Sequence, residues 1–348
     1  MNLKELSRIL NLSTTTVSRA LNGYPEVNSE TRDRVMTAAR RHGYVPNRPA
    51  QRLATGRSMA IGHVVSLGVH QVINPIFSDF LLGAGDAYSR HGYELILSIV
   101  PEAREVETFE SLARRRTVDG VMITSTRVQD SRIDLCQRLG LPFVTHGRDD
   151  RPESCYSWVD VNNRRAFRRA TELLIDLGHR RIGLINGFGF QSFAWRRETG
   201  YAEALAERGL AFDPALLRGE EMTEPFGARS VHELLDLPDP PTAFLASSIA
   251  IALGAARAIR ERGLTPGRDV SIVTHDDDLS FFPNAGPGSG GVPLFTATRS
   301  SIRAAGQRAA EMLIARIRDP HAPHAQDLWE VELTIGLSTG PNPHGNRP

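Results

Sequence analysis

Thr14-Thr15-Thr16-Val17-Ser18-Arg19-Ala20-Leu21-Asn22 is the run on which the reading of this chain turns. Val17, Ala20 and Leu21 recur at helical spacing, and the opposite face offers short hydroxyls, an arginine and an amide. A helix entering the major groove needs that division, with packing residues behind and hydrogen-bonding residues in front near its N-terminus. Arg19 suits a bidentate contact to guanine; Thr16, Ser18 and Asn22 suit phosphates. Taken alone, the run fits a surface helix with ordinary polar residues equally well.

The flanks extend the pattern. Upstream, Leu3, Leu6, Ile9 and Leu10 keep helical spacing, Asn11-Leu12 makes a turn, and Ser13 stands at an N-cap position. Downstream, Asn22-Gly23 ends the second helix, and Asn28 caps a third that turns Val35, Ala38 and Ala39 inward before Gly43 stops it. Residues 1–60 carry ten Lys and Arg against four Asp and Glu, a net +6, while the rest of the chain holds 31 against 36, a net −5. A basic headpiece on an acidic body is what phosphate binding requires, although a solvated surface also produces such fluctuations. Lys4 is the sole lysine, so the abundance of arginine carries no weight by itself.

Pro46 and Pro49 then break the chain ahead of the short segment Ala50–Thr55 and Gly56, so residues 46–59 read as a hinge with a short helix. From Ile61 onward apolar strands alternate with amphipathic helices. Strands are expected at Ile61–Leu67, Tyr93–Val100, Val118–Ser125, Pro142–Gly147, Arg181–Gly187, Ala243–Ser248 and Asp269–Asp276; helices at Ile76–His91, Asn162–Leu177, Arg196–Arg208 and Ile249–Arg262. Repeated strand–helix–strand units imply doubly wound parallel sheets, and the length implies two similar lobes. Ligands of such folds bind beyond the carboxyl ends of the strands. The expected organisation is an all-α headpiece over 1–45, the hinge over 46–59, a two-lobed α/β domain over 60–340 and a flexible tail over 341–348. Phe281–Pro293, rich in Gly and Pro, reads as a loop.

Leu12-Ser13 followed by Thr16-Val17-Ser18-Arg19-Ala20-Leu21-Asn22-Gly23 resembles the headpiece signature of the LacI/GalR family of transcription regulators. Tyr44-Val45-Pro46-Asn47 with Ala50, Leu53 and Gly56 is similar to that family's hinge, and Gly178-His179-Arg180-Arg181-Ile182, Arg197-Glu198-Thr199-Gly200-Tyr201 and Asp276-Asp277 carry the likeness through the body. The resemblance implies a periplasmic-binding-protein-like body, a near-palindromic double-stranded operator, a carbohydrate effector and a homodimeric repressor. It places Thr14 and Thr15 on operator bases, with Arg19 as a further base contact, and adds Tyr44 and Asn47 to the DNA-binding set. Leu53 falls where a hinge leucine wedges into the minor groove, offsetting an unstacked base step by contacts to bent DNA; it also fits a plain apolar linker residue. Arg197 and Asp276 match cleft-lining positions, with Arg148 and Ser248 beside them and Phe77 and Phe226 as apolar walls. His146 stands where the family more often has an acid, and fits either the pocket or a packed core. At Ser247-Ser248-Ile249, Ile249 takes the place of a common carboxylate, so the specificity is shifted.

Other classes fit less well. No run of about eighteen apolar residues could span a membrane, and the start Met1-Asn2-Leu3-Lys4-Glu5-Leu6 lacks a signal-peptide layout, so a cytoplasmic location is expected. Cys136 and Cys155 provide neither a disulfide framework nor a metal cluster. Asp276-Asp277-Asp278 lacks the spaced ligands of a calcium loop, and neither a phosphate loop nor a Gly-x-Ser-x-Gly elbow is present. No cofactor, metal or catalytic residue is expected. The competing reading is a small-molecule binding module without a DNA function.

Overall fold

Side-chain caps set the helices of the N-terminal unit. The computed structural model describes residues 1–21, 24–44, 56–66, 75–151, 156–285, 291–343 and 345, in two units, Met1–Met59 and Ala60–Pro348. In the first unit, α1 (Leu3–Leu10) opens on a capping box: the Asn2 side chain accepts from Glu5 N, and Glu5 accepts from Asn2 N, each at 3.0 Å. Ser13 Oγ accepts from Thr16 N at 3.0 Å ahead of α2 (Thr14–Leu21), and Asn28 caps α3 (Ser29–Arg41) through Thr31 N at 2.7 Å. Leu6, Leu10, Val17, Ala20, Val27, Val35 and Ala39 meet in the middle. Too small a core to tolerate a frayed helix, it depends on these caps, each contributing about 1 kcal/mol.

The second unit contains, among the described residues, two six-stranded sheets. β1 (Ala60–Ser66), β2 (Glu94–Val100), β3 (Gly120–Ile123), β4 (Phe143–His146) and β5 (Ser157–Val161) form the first lobe's sheet with β11 (Gln326–Trp329), in the order β11-β5-β4-β3-β1-β2. β6 (Ile182–Asn186), β7 (Leu217–Gly219), β8 (Ala243–Ala246), β9 (Ser271–Asp276), β10 (Thr296–Arg299) and β12 (Glu332–Thr334) form the second, in the order β12-β10-β9-β8-β6-β7. Pairing is parallel except between β10 and β12. β5, β7, β10, β11 and β12 lie outside the strands expected from the sequence. These are short or polar strands; Thr296 and Thr298 of β10 are nonetheless buried, Thr296 meeting Thr339 Oγ1 at 2.6 Å and Thr298 meeting His275 Nδ1 at 3.0 Å.

Helices α4 (Pro75–Arg90), α5 (Glu105–Arg114) and α6 (Ser131–Arg138) belong to the first lobe, and α7 (Asn163–Asp176), α8 (Ser192–Glu207), α9 (Glu224–Leu235) and α10 (Ile249–Glu261) to the second. The last, α11 (Ile302–Arg318), returns to pack on α4. That contact is backbone on backbone: a methyl built on Gly83 would lie 1.9 Å from Arg303 O, and one on Gly306 2.1 Å from Phe80 O. Only glycine permits so close a crossing. Among the described residues the chain passes between lobes three times, after β5, after β10, and between β11 and β12. Asn162 ties the first passage to the third, its N donating to Trp329 O and its Nδ2 to Glu330 Oε1, both at 2.8 Å.

Candidate functional site

On the headpiece, α2 turns Val17 and Ala20 into the core and leaves Thr14, Thr15 and Arg19 exposed on its outer side. The Thr16 hydroxyl meets Ser13 Oγ at 2.8 Å, so it serves the cap as well as any external partner. Two of the basic residues counted toward phosphate binding have internal work. Arg34 Nη2 donates to Leu10 O at 2.6 Å, and Arg32 Nη2 to Tyr24 O at 2.9 Å and Val27 O at 3.2 Å. Tyr44 packs against the three-helix core, and burial pushes its phenol up. Asn22, Asn47 and Leu53, with most of the hinge 46–59, lie outside the described residues.

In the second unit the strands of both sheets end on one cleft between the lobes. β3, β4 and β5 deliver Thr124–Thr126, His146–Gly147 and Asp160–Val161; β6, β8 and β9 deliver Gln191–Phe193, Ser247, His275 and Asp277. Phe77, Phe80, Phe188 and Phe193 supply aromatic walls. Arg197, on the second turn of α8, is 5 % exposed. Its Nε donates to Asn163 Oδ1 at 2.7 Å and its Nη1 to Ser247 O at 2.6 Å, and the guanidinium lies 4.9 Å from the ring centres of both Phe167 and Phe193. Burial lowers its pKa to about 10, against the pull of Asp277 and Asp160.

The buried charges of this wall are matched. Asp160 accepts from Arg148 Nε at 3.0 Å; burial pushes its carboxyl up and Arg148 opposes the shift. Asp277 lies 3.5 Å from His275 Nε2. Burial would raise its pKa, but His275 and Arg197 outweigh that and hold it below the usual carboxylate value. His146, its ring centre 5.0 Å from that of Phe80, is kept neutral by burial, which lowers it to about 4. Ser247 Oγ donates to Asn186 Oδ1 at 2.6 Å, and Asn186 Nδ2 to Ala194 O at 2.8 Å, so the polar floor is itself oriented by bonds.

The lobes are stitched together across the cleft. Ser192 N donates to Thr126 O and Val128 N to Phe190 O, both at 2.9 Å, around an antiparallel bridge between Arg127 and Gln191. Arg196 Nη2 reaches Asp149 O at 2.6 Å. Ser280 closes on the fully buried Asp79, its N donating at 2.8 Å and its Oγ at 2.5 Å.

Of the expected ligand residues, the structure places Phe77, His146 and Arg197 on this wall. The other four need correction. Phe226 is buried in the core between α9 and the second sheet. Ser248 caps α10, accepting from Ile251 N at 3.3 Å. Asp276 accepts from Asp278 N at 2.9 Å instead of facing the cleft. Arg148 stands behind Asp160 and over the Trp158 ring, 5.1 Å from its centre. Sequence neighbours take the cleft positions of two of them, Ser247 for Ser248 and Asp277 for Asp276, and Asp160, which Arg148 contacts, lines the cleft in place of Arg148. The signal for Asp160 was present in Ser157-Trp158-Val159-Asp160-Val161, whose aromatic and β-branched residues suit a short strand.

Residues 2–47 match the family described as "Bacterial regulatory proteins, lacI family", and residues 171–339 match "Periplasmic binding protein-like domain". The chain is 47 % identical over 345 residues to the HTH-type transcriptional regulator AglR of Rhizobium meliloti (strain 1021), covering 99 % of this chain and 95 % of that one. To the HTH-type transcriptional regulator CelR of Thermobifida fusca it is 32 % identical, covering 92 % and 93 %. Among solved structures, a transcriptional regulator CelR-cellobiose complex aligns with TM-score 0.70 at 30 % identity, covering 97 % of this chain and 99 % of that one. A lac repressor dimer bound to operator and the anti-inducer ONPF shares the fold with TM-score 0.78 at 24 % identity, covering 98 % and 99 %. No helix of the described residues is long and apolar enough to cross a membrane. With the helix-turn-helix unit, the two-lobed body and relatives that match along nearly its whole length, this chain belongs to the lacI family of bacterial regulatory proteins and is a DNA-binding transcription regulator.

Proposed function

We propose that the chain is a homodimeric repressor whose operator affinity is set by a neutral carbohydrate held between its lobes. The observation that carries the reading is the cleft wall, where phenylalanine faces stand beside buried, charge-matched carboxylates and a guanidinium. Sugar hydroxyls both donate and accept, so they satisfy Asp277 and Arg197 at once, and their C–H faces suit Phe77 and Phe80. Half-buried Glu221 adds acid to a wall where Asp160 and Asp277 already stand against Arg197, which disfavours sugar phosphates. The CelR structure with cellobiose supports a carbohydrate in the corresponding fold. Thr14, Thr15 and Arg19 are proposed to read base edges, and Thr16, Ser18 and Tyr44 to hold phosphates. Leu95, Leu97 and Ile99, each at least 38 % exposed on the edge strand β2, support self-association of the first lobe.

The test is a thermal-shift panel of neutral sugars, sugar phosphates and nucleosides on the full chain. A ligand at a hundredfold its Kd adds about 2.7 kcal/mol, or roughly 4 °C in Tm for a chain of this length. The same sugar should then change affinity for an operator selected from random duplexes. Stabilisation by phosphorylated compounds or nucleosides, with none by neutral sugars, overturns the carbohydrate reading.

A further inference from the structure

A second cavity opens beside the cleft in the first lobe, sharing Val65, Thr124, Ser125, Phe188 and Gln191 with it, so the two adjoin along a common wall. Its floor is a charged network that the deep cleft does not use. The Glu105 carboxylate, 5 % exposed, accepts from Ser66 Oγ at 2.9 Å and from Arg132 Nη1 at 3.4 Å. Arg127 Nη2 lies 3.2 Å from Glu105 Oε2 and 3.4 Å from Glu102 Oε1. Arg132 is itself saturated, held by Asp130 at 2.6 and 2.9 Å and by the carbonyls of Thr124 and Ser125. The roof is aromatic: Phe188 and Phe190 stack with ring centres 5.3 Å apart and planes at 14°.

Phe190 is 55 % exposed, an apolar ring left facing the space above a polar floor. Amphipathic ligands fit such a pairing, since one face is apolar and the rim carries hydroxyls. Glu102 and Glu105 face Arg127 and Arg132 in the lining, and Asp130, buried behind it, holds Arg132, so the floor leaves no unmatched cation for an anionic group. Resting on the carbohydrate reading of the deep cleft, we propose that the effector is a neutral saccharide of at least two linked units. One unit sits against Arg197 and Asp277. The next lies under Phe188 and Phe190, its hydroxyls donating to Glu102 and Glu105 and accepting from Arg127.

Calorimetric titration of the full chain tests this with neutral gluco- and galacto-disaccharides, each beside the methyl glycosides of its constituent monosaccharides. The best disaccharide should bind roughly tenfold or more tighter than either methyl glycoside, the equivalent of one well-formed contact. Phe190→Ala and Glu102→Gln remove exposed groups without opening the core, and each should bring that ratio toward one. Equal affinity for disaccharide and methyl glycoside in the unsubstituted protein overturns the second subsite while leaving the carbohydrate reading intact. A ratio unchanged in both variants also overturns it. Binding of no saccharide in the panel overturns the carbohydrate reading itself, and this proposal with it.

Discussion

Arg197→Ala separates a ligand-binding role from a structural one, because the structure sets opposing terms on its stability. The substitution removes hydrogen bonds to Asn163 Oδ1 and Ser247 O, a gross loss of about 3–6 kcal/mol for two bonds to a charged group. It also relieves the burial that lowers the guanidinium pKa to about 10, a cost of about 3 kcal/mol at 1.36 kcal/mol per pKa unit. The two terms largely cancel, and the stability loss should be about 0–3 kcal/mol, or no more than roughly 4 °C in Tm. Effector binding has no such compensation. Arg197 Nη2 has no protein partner among the described residues and stands on the cleft wall. Losing a charge-assisted bond there should weaken the effector by about 1.5–3 kcal/mol, some tenfold to 150-fold. Operator affinity without effector should be unchanged. Calorimetric titration with the stabilising sugar, thermal melting and operator anisotropy on the same variant provide the readouts. Wild-type effector affinity alongside a lowered Tm would refute the argument.

Three further outcomes are expected. Arg19→Ala should cost about 1–3 kcal/mol of specific operator affinity with unchanged melting, measured by anisotropy at fixed salt; equal binding would remove Arg19 from the base-reading set. Gly306→Ala forces a methyl against Phe80 O and should destabilise by about 1–3 kcal/mol in denaturant unfolding, as overpacking does; a neutral result would mean that α4 and α11 slide apart freely. Burial lowers His146 to about 4 and His63 to about 3 from an ordinary 6.5, so the unfolded chain binds more protons below pH 6.5. The stability of burying them neutral is therefore full above about pH 6.5 and is lost as the pH falls toward 4 and then 3; His146→Gln should flatten the slope between 6.5 and 4 by up to about 1.4 kcal/mol per pH unit.

The headpiece was legible because its caps and its core spacing are local. Ser13 and Asn28 cap within three residues, and Val17, Ala20 and Val35 declare the core by spacing alone. Strands β1, β3, β6 and β8 were legible as apolar runs. β10, Thr-Ala-Thr-Arg, was not, because its hydroxyls are buried by partners distant in sequence. Two of the four misreadings in the cleft were by a single residue at strand ends, Asp276 for Asp277 and Ser248 for Ser247. Successive side chains leave a strand on opposite faces, so a one-residue ambiguity in where β8 and β9 stop decides which group meets the ligand and which caps or supports.

The three passages between the lobes determine how the body can move. Because Asn162 laces the first passage to the third, these two form a ribbon that bends across its width but resists shear and torsion, like a leaf spring. Opening and closing then reduce to rotation about one axis, and displacement grows with distance from it. The middle passage leads directly into α11, whose backbone is seated on α4 at Gly306 and Gly83. Closure on the effector would thereby be magnified at the far ends of the lobes, because that crossing is backbone on backbone and does not yield.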